Sequence, residues 1–403
     1  MPASPVVFPR TSPTIVSGYR DPSLGVPTQR IKPDISDRII LWEPEAAPLL
    51  ALLKGVRQKV AATQRQFDWI ESEPYPSEVT ISGSQTAGDT SIEVVTGQGS
   101  RVAPNMKLRN RSTGEIFLVT VVSTDTLTAV RGIGNTLGGA AMADGDVCDI
   151  IGTAFEDASD VGTSKTVKEG RDFNYTEITR TPFSISGRQS QTSFYGGSDK
   201  VSTAKKTAIE HKKRLEMSAF FGKRHSRTGT GGLEQTFTGG LEFFIASNVW
   251  DLAGAEPTHR AIVEALELYM RWGDGGIVNG NGKKALFCSP RWLTILESVW
   301  HDKLRINQSD EVKKIGLKIT EVETTHGTLM LIRQPLFVGA LGQYAFLVDL
   351  NHVRYRYHQG RDTQLLENRQ GPGIDGETHE WLTDAGWEVS VEGAHAIWKG
   401  IPV

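Results

Sequence analysis

Two cysteines in 403 residues are too few for a disulfide framework or a CxxC zinc pattern. Cys148 and Cys288 lie far apart, and each reads as a small buried apolar residue, which suits a reducing compartment. Long apolar runs are missing too. The longest, AAPLLALL from Ala46, falls far short of the roughly 20 residues a membrane helix needs, so no membrane partner is expected. The opening MPASPVVFPR lacks the charged and apolar regions of a secretory signal, and cytoplasmic synthesis is the expectation. A surplus of one charge is also absent. The formal net charge is −3, whereas a dedicated nucleic-acid binder carries a strongly basic footprint.

Catalytic patterns are equally scarce. The 9 histidines do not cluster. No HExxH occurs, and His379 and His395 sit in strand-like contexts without a third ligand nearby. No G-x-S-x-G elbow is present. RGIGNTLGG, from Arg131 to Gly139, has the spacing G-x-G-x-x-x-G, and the chain after it returns to a strand. A phosphate loop needs G-x-G-x-x-G opening a helix, so this segment reads as a flexible connection between strands. RTGTGG, from Arg227 to Gly232, follows a helix and reads as a hinge or mobile loop. Asp144 and Asp146 fall in turns, where Asp bonds its own backbone. No catalytic, metal or cofactor site is expected.

What the chain does contain is glycine, at 42 residues, which points to many turns and short strands. Residues 1–48 hold 9 of the 18 prolines. Proline fixes φ and removes a donor, so this segment reads as extended. Val6, Val7, Phe8, Ile15, Val16, Tyr19 and Trp42 make it an arm that lies on a neighbour, with Phe8 and Tyr19 as candidate anchors. No long charged helical prefix precedes the body, so no removable N-terminal scaffolding segment is expected. Glu45 to Lys54 reads as a short helix with four leucines, capped at Gly55. QRQFDWIESEPYP then reads as a strand and a turn. Residues 78–152 carry TSIEVV, EIFLVTVV, TLTAVRG and VCDIIG between turn clusters, the texture of a small inserted all-β module.

The most informative stretch runs from Arg171 to Arg224. RDFNYTEITRTPFSISGRQSQTSF alternates like an extended strand. It feeds a long charged helix from Lys200 to Arg224, with a narrow stripe of Val201, Ala204, Ala208, Leu215, Ala219 and Gly222. Lys205, Lys206, Glu210, Lys213 and Arg214 occupy the rest. Three readings stand: a solvated surface face, lysines on phosphates, or ion pairing between subunits. The order Glu210 to Arg214 is the favourable i,i+4 one, contributing about 0.2–0.5 kcal/mol. Interleaved glutamate and the lack of stacking aromatics weigh against nucleic acid. Further on, Thr258 caps a helix bearing Ile262, Ala265, Leu266 and Tyr269 on one face. Ser289-Pro290 starts another, with Leu293, Leu296, Val299 and Trp300. KKALFCS, LKITEVET, TLMLIRQ, YAFLVDL and the C-terminal run read as strands. The class is α+β with an added β module.

The order of several short motifs resembles the major head protein family of tailed phages. PLLALL precedes Phe67-Asp68-Trp69. Gly114-Glu115 and Arg131-Gly132 follow, then Phe173-Asn174-Tyr175 and Ser186-Gly187. The long helix ends in AFFGKRH, and Gly239-Gly240 precedes Asn248. The likeness covers most of residues 40–403. It implies the Hong Kong-phage-type capsid fold shared with encapsulins: N-terminal arm and short helix over 1–60, extended loop over 61–190 carrying the module 78–152, spine helix over 198–224, and peripheral and axial domains over 225–403. It implies a major capsid subunit of the virion, self-assembled as hexamers and pentamers of an icosahedral head around double-stranded DNA, in the host cytoplasm. Portal, scaffold or decoration proteins are the further partners, and DNA is held without sequence preference. Phe8, Tyr19, Phe67, Trp69, Lys205, Lys206, Glu210, Lys213 and Arg214 become the candidate subunit-interface residues. The module is expected on the outer surface. The alternatives are a phage decoration or tail protein, or a hydrolytic enzyme with a β accessory module.

Overall fold

The computed structural model describes residues 47–55, 58–135, 139–159, 162, 165–192, 198–273, 282–300, 304–305 and 319–402. The arm anchors Phe8 and Tyr19 lie outside the described residues. In chain order the elements are α1 (Pro48–Gly55), β1 (Lys59–Ala62), β2 (Gln66–Glu71), β3 (Glu78–Thr80), β4 (Ser91–Glu93), β5 (Met106–Asn110), β6 (Ile116–Ser123), β7 (Thr126–Val130), β8 (Val147–Thr153), β9 (Gly170–Tyr175), β10 (Glu177–Ser186), α2 (Gly187–Ser190), α3 (Asp199–Phe221), β11 (His225–Thr228) and β12 (Glu234–Phe237). Then come α4 (Leu241–Phe244), β13 (Val249–Asp251), α5 (His259–Tyr269), β14 (Lys283–Cys288), α6 (Pro290–Val299), β15 (Leu304–Arg305), β16 (Ile319–Thr324), β17 (Gly327–Arg333), β18 (Ala345–Val348), β19 (Val353–His358), β20 (Gln364–Leu366), β21 (Gly376–Val389) and β22 (Ala396–Lys399). The chain divides into two compact units, Asp68–Phe173 and the remainder.

The smaller unit is a six-stranded sheet of order β3-β8-β5-β6-β7-β4, antiparallel throughout. Side chains on a strand alternate between faces. Val79, Ile92, Leu108, Phe117, Val119, Leu127 and Cys148 therefore project to one side and form a core of their own. Glycines with left-handed φ, such as Gly114 (φ 74°) and Gly145 (φ 85°), close the tight turns.

The larger unit holds a mixed seven-stranded sheet of order β13-β22-β18-β14-β17-β16-β15 and a five-stranded sheet of order β1-β19-β21-β10, with β20 also on β21. The seven-stranded sheet is apolar on both faces, and the period of two sorts its residues. Leu286, Cys288, Leu329, Leu331, Leu347 and Trp398 face α5 and α6 in one core. Ala285, Phe287, Ile332, Phe346, Val348 and Ile397 face the other core, with α1, α3, Tyr355 and Trp387. Fully burying one such side chain stabilises by about 1.5–3 kcal/mol. Both helix starts are capped as read from sequence. Thr258 Oγ1 accepts from Ala261 N (3.3 Å), and Ser289 Oγ accepts from Trp292 N (3.1 Å) with Pro290 in the first turn.

RTGTGG is not a hinge. Arg227 and Thr228 pair with Gln235 and Glu234, so the glycines form the tip of the β11–β12 hairpin. Cys148 and Cys288 are free and buried, and burial pushes the Cys148 thiol up to about 12.

Candidate assembly interface

Helix α3 is uninterrupted because no proline or glycine falls between Asp199 and Phe221. It ends at Gly222. The Gly222 amide donates to Ser218 O (3.0 Å), and Gly240 N donates to Gly222 O (2.9 Å). A Cβ on Gly240 would stand 2.6 Å from both Ala219 O and Ser218 O. The glycine pair is thus a contact surface for the end of the helix.

The two faces of α3 differ. Lys205, Lys206, Glu210, Lys212 and Arg214 are exposed, and Lys213 is half-buried. Glu210 and Arg214 approach to 4.0 Å with both side chains 52% exposed, an arrangement worth about 0.5 kcal/mol or less in water. At the N-terminal end Lys200 Nζ donates to Glu377 (2.9 Å), and Trp381 Nε1 donates to Ala204 O (3.1 Å). Val201, placed on the stripe by sequence, is 52% exposed.

The inner face carries His211, Leu215, Glu216, Ala219 and Phe220. Glu216 Oε1 accepts from Leu49 N (2.8 Å) and Gln334 Nε2 (2.8 Å), and Oε2 accepts from Leu50 N (3.0 Å). The carboxyl therefore satisfies two amides of the first turn of α1, which have no partner inside their own helix. Burial raises its pKa to about 7 against the pull of these three donors. His211 lies between Thr181 Oγ1 (2.9 Å) and Thr383 Oγ1 (2.7 Å). Burial, then the nearby Arg214 charge, lowers its pKa to about 4, so the ring is neutral at pH 7.

Motif residues far apart in sequence meet here. Asn174 Nδ2 donates to Thr238 Oγ1 (3.2 Å), Gly239 O (2.9 Å) and Trp387 O (2.6 Å), and its Oδ1 accepts from Gly239 N (2.8 Å). Asn248 Nδ2 donates to Gly393 O (3.1 Å) and His395 O (2.9 Å). Phe67 and Trp69 are turned inward, 8% and 7% exposed. Phe67 takes the Arg356 guanidinium over its ring, and Trp69 donates to Glu71 Oε1 (2.7 Å). Of the candidate residues within the described part, Lys205, Lys206, Glu210, Lys213 and Arg214 share α3, whereas Phe67 and Trp69 are placed elsewhere, on β2.

Beside the end of α3 an open pocket of about 500 Å³ is lined by Met217, Phe221, Phe237, Lys223, His225 and Arg227. Glu177 also lines it, and burial raises that carboxyl's pKa against the Thr238 amide. Sequence reasoning missed Glu216, His211 and Lys284. Lys284 is fully buried and donates to Tyr269 O (2.9 Å), Trp272 O (2.6 Å) and Ala394 O (2.7 Å). One signal was available for His211: it is four residues before Leu215 and eight before Ala219, on the buried stripe. Among the described residues no His, Cys, Asp and Glu group has the arrangement of a metal site, and no helix is long and apolar enough to cross a membrane.

Comparison with known proteins gives one family. A family model described as SU10 major capsid protein matches residues 17–402. The major capsid protein of Pseudomonas phage PaMx41 is 23% identical over 336 residues, covering 81% of this chain and 79% of that protein. A solved structure from Mycobacterium phage Bobi has a TM-score of 0.49 at 9% identity, covering 96% of this chain and 99% of that one. The capsid of Myoviridae phage XM1 has a TM-score of 0.43 at 9% identity, covering 92% and 97%.

Proposed function

This chain belongs to the SU10 major capsid protein family, and from that premise we propose that it is the subunit that self-assembles into the icosahedral head of a tailed phage around double-stranded DNA. The observation that carries this reading is the family match over residues 17–402, nearly the whole chain. A decoration or tail protein is the lesser reading, because the matched family is that of the shell itself. The role is structural, with no catalytic step assigned, and its place is the virion. Assembly in the host cytoplasm, hexamers and pentamers, and portal, scaffold or decoration partners belong to the same proposal.

The parts take their roles within it. Residues 1–60 serve as arm and short helix, with Phe8 and Tyr19 docking on a neighbour. Residues 61–190 form the extended loop, with the module 78–152 on the outer surface. The helix of 198–224 is the spine, and 225–403 make the peripheral and axial domains. The support is local: a self-contained β core in Asp68–Phe173 and an uninterrupted helix over Asp199–Phe221. Lys205, Lys206, Glu210, Lys213 and Arg214 act on protein partners, where exposed pairs matter only by repetition around a closed shell. Phe67 and Trp69 are further candidates for the subunit interface. Many weak contacts then add through multivalency.

Negative-stain electron microscopy of the purified, full-length protein tests the reading. Closed shells of uniform diameter are the expected result. A protein that stays monomeric under all assembly conditions, yet is folded by circular dichroism, would overturn it.

A further inference from the structure

Glu380, Asp384 and Glu388 stand four residues apart on β21, so they project from one face of the five-stranded sheet. Trp381 and Thr383 between them point the other way, to Ala204 and His211 of α3. The three acids are buried, and arginines lie over them. Arg180 and Arg369 approach Glu380 (3.9 and 3.3 Å), Arg361 approaches Asp384 (3.1 Å), and Arg354 (3.1 Å) and Arg356 approach Glu388. A buried carboxylate needs a cation to offset its lost hydration. Here five guanidinium groups meet three carboxylates, a surplus of positive charge on a chain whose net charge is −3.

The surplus faces outward. Arg180, Arg354, Arg361 and Arg369 keep between 40% and 53% of their side chains exposed. Arg180, Arg361 and Arg369 approach their acids through Nε, and among the described residues their Nη groups have no partner. The buried carboxylates thus hold these forks in place with one edge free. Such an edge takes a further carboxylate by two parallel N–H···O bonds. Ile178, paired with Asp384 across the sheet and 53% exposed, adds an apolar spot to the same face.

The chain carries its own complement. From Gly132 to Ser164 there is no Lys or Arg. Within that stretch Asp144, Asp146 and Asp149 are engaged inside the module. Glu156 and Asp157 are exposed, without a side-chain partner among the described residues, and are the only adjacent pair of acids there. Phe155 beside them is 47% exposed. We propose that Phe155, Glu156 and Asp157 of one subunit dock on the Arg180, Arg361 and Arg369 face of a second copy. Carboxylates meet the free guanidinium edges, and Phe155 meets Ile178. A loop and a face from different parts of one chain make a heterologous contact. Each subunit gives its loop to one neighbour and receives a loop from another, an arrangement that closes into a ring. The inference rests on the shell reading and names the two surfaces that meet.

The test is cross-linking of assembled full-length chains. Asp157→Cys is combined with Arg180→Cys in one chain and with Arg369→Cys in another, so Glu380 keeps one arginine in each. Cys148 and Cys288 are buried and do not compete. Particles are treated with a short bismaleimide and run on denaturing gels. A ladder of multimers is expected from the double variants and not from the single ones. In parallel, Glu156→Lys with Asp157→Lys should raise the subunit concentration needed for assembly by about threefold to tenfold, and Arg180→Glu in the same chain should recover part of it. If Arg180→Glu prevents folding, the cysteine pairs decide. Particles without a ladder, a link closed within one chain, or a loop reversal that assembles as the wild type does would overturn the contact and leave the shell reading standing. Absence of particles from the wild type would overturn both. Unchanged assembly of Arg180→Glu with weaker binding of a double-stranded oligonucleotide would assign the face to nucleic acid and overturn the contact.

Discussion

Arg131 and Glu115 meet inside the β module as a fork-to-fork ion pair, Nε to Oε1 at 2.7 Å and Nη2 to Oε2 at 2.6 Å. Their side chains are 7% and 0% exposed. Glu115 also accepts from Gly132 N (3.1 Å) and Ala140 N (3.0 Å), and Arg131 donates to Asp89 O (3.1 Å). The Arg-Gly turn that resembled a degenerate phosphate loop is a structural clamp, already occupied by a carboxylate of the same chain.

Breaking this clamp from one side should be severe. Glu115→Ala leaves the guanidinium buried and unpaired, at a cost of about 3–5 kcal/mol. Replacing both partners by methionine should cost less than either single change. Urea unfolding followed in the full chain checks the order. A cost under about 1 kcal/mol for Glu115→Ala would contradict the clamp.

Gly240→Ala should destabilise by about 1–3 kcal/mol, because the new methyl meets backbone carbonyls that cannot rotate away. Gly231 has no heavy atom within 4 Å of its Cβ position, so Gly231→Ala is the control and should be neutral or slightly stabilising. Melting temperatures of the two variants make the comparison. Equal melting would mean the end of α3 yields to the added methyl.

Reversing one exposed charge should act on assembly and not on folding. Glu210→Lys loses an ion pair worth about 0.5 kcal/mol or less, so subunit stability should barely change. Capsid yield or thermal stability should drop more than in Glu210→Gln, and added salt should shrink the difference by screening. If both variants assemble as the wild type does, or if the reversal chiefly alters DNA affinity of free subunits, the proposed role of this face is wrong.

His211 should make the subunit sensitive to acid. Its pKa is lowered from 6.5 to about 4, so its contribution is complete above 6.5 and is lost as pH falls through about 4. His211→Gln retains groups that can bond Thr181 and Thr383 but does not titrate. Its melting temperature should therefore decline less steeply between pH 6.5 and pH 4 than the wild type's. Parallel profiles would show that His211 does not titrate on unfolding.

Deleting residues 1–30 should leave a folded subunit, because among the described residues two large buried clusters are built from residue 49 onward. Assembly into shells should fail or give shells that dissociate at lower temperature. Normal heads of equal heat stability would remove the arm from the assembly mechanism.

Local signals in the sequence carried the helices and strands. Thr258, Ser289 and Pro290 are start signals whose physics is complete within four residues, and both helices begin where they predict. The runs TSIEVV, EIFLVTVV, TLTAVRG and VCDIIG read as short strands, and they lie on β4, β6, β7 and β8; which of their side chains form the core follows from the pleat's period of two. The charged face of α3 was legible for the same reason. The end of that helix was read too late: the sequence places it near Arg224, whereas it stops at Phe221 with Gly222 as its C-cap.

The sequence by itself determined the α+β class, the inserted β texture, the capped helices and the order of motifs that ties the chain to its family. These depend on interactions between residues a few positions apart. Only the tertiary structure decided what the motifs are for. Glu115 with Arg131, Asn174 with Gly239, and Glu216 with the first turn of α1 lie 16, 65 and up to 167 residues apart. No local pattern encodes such partners, because a buried polar group is settled by whichever donor or acceptor the packed core brings to it. A glutamate in a charge run and a glutamate in a core are the same letter, and burial alone separates Glu210 from Glu216.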